Sequence, residues 1–166
     1  MVKQRGWVEY SVYLLYSPQS LIAEGSANYG IVMAFPGDQK AEFEKQVLFP
    51  LAGLDKALAA DYDKYIHLAE KLGYARNEIA RLYINGEIDK EQALNLTQKY
   101  QISSRARAEQ SLSFVETYGA YVIKYNLGRD TVKAYIEKAD SQQERWQRFT
   151  RLLSSPRIPS SLNWEK

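Results

Sequence analysis

The stretch Ser17-Pro18-Gln19-Ser20-Leu21-Ile22-Ala23-Glu24-Gly25-Ser26-Ala27-Asn28-Tyr29-Gly30 limits what this chain can fold into more than any other. Ser17 is placed to cap the first free N–H groups of a helix, and Pro18 suits the first helical position, where its missing donor costs nothing. From there to Phe35 nearly every residue is apolar or small, the pattern of a helix buried on most sides, yet Glu24 stands in its middle. At about 100° per residue Ser17, Ser20, Glu24 and Asn28 fall on one narrow strip, so the carboxylate has polar neighbours a turn above and below. A carboxylate buried in such a helix has to be paired, protonated or bound to a metal. The strip therefore reads as a solvated edge, as half of a structural ion pair with an arginine, or as the seat of a functional carboxylate.

The remaining pattern is helical throughout. Trp7 to Tyr16 is apolar but for Glu9 and Ser11 and stops at Ser-Pro, which favours a helix needing cover on all sides. Asp38 is a candidate N-cap for a helix through Lys45 to Phe49, bent or ended by Pro50. Leu54 to Leu72 carries a helical stripe at Leu54, Leu58, Tyr65, Ile66, Ala69 and Leu72; Gly73 either interrupts it or, at a cost of about 1 kcal/mol, is absorbed into one long helix with Tyr74 to Ile84, closed by Asn85-Gly86. Asp89 to Gln92 resembles a capping box that opens a helix to about Tyr100. Ser103 or Ser104 caps the next, with Ala108, Leu112 and Val115 inward. A turn near Gly119 leads to a short helix from Ala120 to Leu127 ending at Gly128, then to helices over Thr131–Ala139 and Gln142–Leu153. The last of these buries Trp146, Phe149, Leu152 and Leu153. Residues 155–166 read as an extended tail, with Ile158, Leu162 and Trp164 as docking residues. The fold expected is all-α: a single-domain irregular bundle of about seven to nine helices spanning residues 1–166.

Composition narrows the function. The 22 Lys and Arg against 20 Asp and Glu leave a net charge of +2, too small a field to grip phosphate backbones or anionic lipid. Nucleic acid and membrane are not expected as partners. The chain has no cysteine, hence no disulfide framework, no thiolate nucleophile and no Cys-ligated metal. No apolar run reaches the ~18 residues of a membrane span, and no leader pattern opens the sequence, so the expected location is cytoplasmic. His67, the single histidine, has no second His or Cys at ligand spacing and reads as a satisfied structural residue. Tyr121 and Tyr125 stand four apart and Arg129 follows, a spacing that suits core tyrosines and a capping arginine.

Ser-Pro-x-Ser-x-Ile-Ala-Glu-Gly, preceded by Arg5-Gly6-Trp7, resembles a segment of a bacterial family of helical, gluzincin-like zinc metallopeptidase homologues, largely of unknown function. The stretch Tyr121-Val122-Ile123-Lys124-Tyr125-Asn126-Leu127-Gly128-Arg129-Asp130, then Arg148-Phe149 to Leu152-Leu153 and Pro156 to Leu162, resembles the family's C-terminal part in the same order. The resemblance implies that Glu24 is the third zinc ligand of the complete site. It makes Tyr121 or Tyr125 an oxyanion donor and Arg129 a clamp for a peptide carboxylate. In that family a His-Glu or His-His zinc helix comes shortly before, packed against the counterpart of Trp7 to Tyr16. The zinc-binding histidines are absent here. A catalytic zinc needs about three protein ligands and an open water position, so this chain by itself is expected neither to hold zinc nor to hydrolyse peptides.

Three readings follow. The chain is the C-terminal half of a zinc metallopeptidase-like protein, cut off by truncation. Alternatively it is one part of a split enzyme whose histidines come from another chain. In the third reading it is a helical dimerisation or interaction module that has kept the scaffold and lost the chemistry. In the last, Trp7 to Tyr16 forms an apolar surface buried against another copy, whereas in the truncation reading the same helix would meet the missing N-terminal half.

Overall fold

The computed structural model describes residues 2–163, and among them no strand occurs; the architecture is all-α, as expected. In chain order the helices are α1 (Val2–Arg5), α2 (Pro18–Ala34), α3 (Gln39–Phe43), α4 (Phe49–Leu51), α5 (Ala59–Ile84), α6 (Lys90–Gln101), α7 (Arg105–Tyr118), α8 (Ile123–Ile136) and α9 (Gln142–Ser154). They gather into two compact units. Residues up to Met33 join those from Lys124 onward, and Ala34–Ile123 forms the other.

The first unit is built where α2 meets α8. A Cβ placed on Gly25 would fall within 3.0 Å of the Gly128 carbonyl, and one on Gly128 within 3.0 Å of the Leu21 carbonyl. The two backbones touch because neither residue has a side chain. Around that contact Ile22, Tyr29 and Met33 of α2 pack with Val132, Tyr135 and Ile136 of α8, and with Phe149 and Leu152 of α9. Ser26, also buried, turns its hydroxyl onto the Ile22 carbonyl, which satisfies a polar atom without leaving the helix. Leu162, from a 3-10 turn at Pro159–Asn163, closes the cluster.

The sequence reading needs correction at several places in this unit. Trp7 to Tyr16 is not a helix: it holds one 3-10 turn at Val8–Ser11, and Val12 is extended at φ −114, ψ 124. Val8, Tyr10, Val12, Tyr13 and Tyr16 are β-branched or aromatic, poor helix formers that no tertiary face rescues here. Gly128 does not end a helix, and Thr131 does not start one. Both lie inside α8, which follows a 3-10 turn at Gly119–Val122. Ser17 accepts the Ser20 N–H through its backbone carbonyl, but its hydroxyl has no partner and so does not cap. In α9, Phe149 and Leu152 are buried while Trp146 and Leu153 are exposed. In the tail Leu162 is buried and Ile158 exposed, and Trp164 lies outside the described residues.

In the second unit the capping signals hold closely, but the Leu54–Leu72 stripe does not: α5 begins only at Ala59, after a 3-10 turn at Lys56–Leu58, and Leu54, Leu58 and Tyr65 are exposed. Asp89 and Gln92 make a full capping box, and the Ser104 hydroxyl takes the Arg107 N–H. Asn85 caps α5 and Gly86, at φ 72, turns the chain out of it. The core joins Ile79 and Ala80 of α5, Ala93 and Leu94 of α6, and Ala108, Leu112 and Val115 of α7. Asp38 occupies the N-cap position of α3 without a side-chain bond. Pro50 does not stop the chain from coiling. The residues before it, Glu44–Leu48, open into a π turn, which absorbs the carbonyl that Pro50 cannot serve.

The two kinds of glycine in α2 give opposite expectations. Gly25→Ala drives a methyl into backbone and should destabilise by about 3 kcal/mol, the upper end of overpacking costs. At Gly30 an added Cβ would meet only the Phe149 ring, at 3.5 Å, an ordinary contact. Gly30→Ala should therefore stabilise, by about 0.5–1 kcal/mol. Urea denaturation of both variants checks the pair.

Candidate functional site

Glu24 precedes Gly25 and is half-buried. The strip on which it lies is not a solvated edge. Ser20 is fully buried, and its hydroxyl shares a 2.6 Å hydrogen bond with the Tyr13 phenol; the Asn28 amide donates to the Glu24 backbone carbonyl at 2.9 Å. What answers the Glu24 carboxylate electrostatically is Lys124, which the sequence reading did not single out. It lies four residues before Gly128 on α8, is 8% exposed, and donates from Nζ to the Leu15 carbonyl at 2.5 Å. The same ammonium lies 5.7 Å from the centre of the Tyr16 ring. Burial pushes the Lys124 ammonium below lysine's ordinary range, and the charge of Glu24 works against that shift. Lys124 thus pins the irregular Leu15–Tyr16 segment onto α8.

A second polar group forms around Tyr29, one turn beyond Gly25. Its phenol is buried and donates to Glu137 Oε1 at 3.3 Å. Burial first, then the Glu137 carboxylate, raise the phenol above its ordinary value, while the charges of Arg145 and Arg129 pull it back. Arg129 is half-buried on α8 and acts electrostatically on this phenol. Tyr125 is half-buried on α8 as well. Tyr121 belongs to the other unit, in the 3-10 turn before α8, where it packs against the rings of Phe114 and Tyr118 at centroid distances of 6.3 and 6.2 Å. Spacing by four along a uniform helix does not describe the pair, because the coil changes from 3-10 to α between them.

At the N-terminus of α2 a cleft of about 410 Å³ is lined by Tyr10, Ser17, Gln19, Arg157 and Ser161. His67 is exposed on the surface of α5, its Nε2 3.6 Å from the Asp63 carboxylate one turn earlier. Among the described residues no group of three or more His, Cys, Asp or Glu side chains could hold a metal ion. The donor set around Glu24 does not fit zinc without ligands from elsewhere. No helix among them is long and apolar enough to cross a membrane.

Two signals could have found these groups from sequence. The lysine of Ile123-Lys124-Tyr125 is the one charge in an otherwise aromatic and apolar run, and Gly25 and Gly128 are helix-interior glycines with no turn beside them. No family model matches the chain, and no curated protein or solved structure does.

The raised phenol has a definite pH consequence. A group whose folded value lies above its unfolded one lends stability that is complete below the unfolded value and is lost as pH rises through the folded one. The wild type should therefore lose stability from about pH 10 upward, Tyr29 being neutral when folded. Tyr29→Phe should be less stable than wild type by about 1 kcal/mol at pH 8, and that gap should shrink as pH rises above about 10. Urea melts below and above that pH measure it.

Proposed function

We propose that this chain is a helical interaction module that pairs with a second copy through its N-terminal segment, Trp7–Tyr16. One observation carries the reading. Val8, Val12, Leu14 and Tyr16 are 69%, 65%, 65% and 66% exposed, a run of large apolar side chains on a segment held down by Lys124 and Ser20. Scattered apolar residues on a surface are ordinary, but a contiguous run on an anchored segment is an interface in waiting. Sedimentation velocity of the wild type should give a dimer at micromolar concentration, and Leu14→Asp should give a monomer with an unchanged melting curve. A monomeric wild type contradicts the proposal.

A second reading keeps the resemblance to zinc metallopeptidases and makes Glu24 a ligand whose partners come from another chain. Its support is the half-buried carboxylate in mid-helix; the charge of Lys124 beside it argues for a structural pair instead. Native mass spectrometry with added zinc separates the two. The interaction module carries no stoichiometric zinc, whereas a bound zinc lost in Glu24→Gln would favour the second reading.

A further inference from the structure

The helix α5 is longer than anything packed on it within its unit. Its 26 residues span about 39 Å, against about 18 Å for the 12 residues of α6. Ile79 and Ala80 are buried against α6 and α7, and between Ala59 and Ile79 no residue of α5 is buried. On one side of that stretch the Phe49 ring packs edge-on against Tyr62, and another side is apolar and open. Tyr65, Leu68 and Leu72 share an arc of about 60°, and with Ile102 they line a groove of about 250 Å³. Tyr65 and Leu68 are more than half exposed.

Ile102 is unusual in two ways at once. It ends α6 in the left-handed region, at φ 49 and ψ 47, the one non-glycine residue with positive φ among the described residues. A β-branched side chain is strained there, where glycine or asparagine would fit. It is also 71% exposed, where a polar residue would cost nothing. The fold of the unit explains neither. Both are accounted for if something docks on the Ile102 side chain.

Charge decides what docks. Lys64 and Lys71 lie seven residues apart on one edge of the stripe, and among the described residues neither has an ion-pair partner. Nearby Arg81 and Arg105 each hold two carboxylates. Asp61 falls inside the stripe at its N-terminal end. A second copy is a poor occupant: packed antiparallel, the lysine edge meets a lysine edge, and packed parallel, Asp61 meets itself. We propose that the overhanging half of α5, with Ile102, docks an amphipathic α-helix of a different protein, apolar at heptad spacing and acidic along the flank that meets Lys64 and Lys71.

The probe is a synthetic amphipathic helix of about 16 residues, leucine at the seam and glutamate on both flanks, compared by fluorescence anisotropy with a lysine-flanked version. The full-length protein should bind the acidic peptide at least about tenfold more tightly, and Lys64→Glu with Lys71→Glu should reverse the order. Leu68→Ser should weaken binding at least about tenfold, and Leu14→Asp should leave it unchanged, which separates this surface from the self-pairing segment. Ile102→Gly should raise the melting midpoint while weakening the peptide, a combination that loss of folding cannot produce. No binding, equal binding of the two peptides, or a homodimer that Leu68→Ser dissolves would overturn the proposal.

Discussion

Everything in the first unit depends on two backbones touching at Gly25 and Gly128. A methyl on either residue would fall within 3.0 Å of a carbonyl of the other helix, so the approach exists only because both side chains are missing. Close approach brings the rest of α2 and α8 together. One turn before Gly128, Lys124 feels the charge of Glu24; beyond Gly25, the Tyr29 phenol meets Glu137. The large apolar residues of both helices, with Phe149, Leu152 and Leu162, then fill the space around the contact. The cost is two glycines in helix interiors, about 1 kcal/mol each in propensity, offset by dispersion contacts that a wider crossing would forfeit.

The same contact changes the meaning of the carboxylate that dominates the sequence. A glutamate followed by glycine in a buried helix invites a catalytic reading, and the resemblance to zinc metallopeptidases strengthens it. In the folded unit the glycine serves packing and the glutamate has a buried lysine in electrostatic range. Lys124 in turn ties down Leu15 and Tyr16, so the polar pair links the core of the unit to its exposed N-terminal segment. The contacts of Lys124 hold the Leu15–Tyr16 segment in place.

Local signals were legible where local energetics decide. The Asp89 capping box, the Ser104 cap, the Asn85-Gly86 stop and the inward faces of α7 could be read because each depends on residues within one turn of each other. Long α5 was legible in part: the pattern allowed one helix through Gly73, but it placed the start at Leu54, where the structure has a 3-10 turn at Lys56–Leu58 before the helix opens at Ala59. Misreadings came where distant packing decides. Gly128 looked like a terminator because glycine usually is one, and only the arrival of α2 explains it inside a helix. Trp7 to Tyr16 looked helical by its apolarity, but much of it is exposed, and its aromatic and β-branched residues settle into a turn and an extended segment. Of the site residues, Glu24 was placed on its helix correctly, while Lys124 and the Tyr29–Glu137 pair bridge positions about a hundred residues apart. Neither could be read from spacing.

Hydrogen exchange followed by mass spectrometry at two protein concentrations tests the account most directly, because it reads the glycine contact and the exposed segment in one experiment. Amides of Leu21–Tyr29 and Arg129–Val132 should exchange slowest and without regard to concentration, while those of Val8–Tyr16 should exchange fast when dilute and gain protection when concentrated. If the amides flanking Gly25 and Gly128 exchange as fast as the N-terminal segment, the glycine contact is not what holds this unit together.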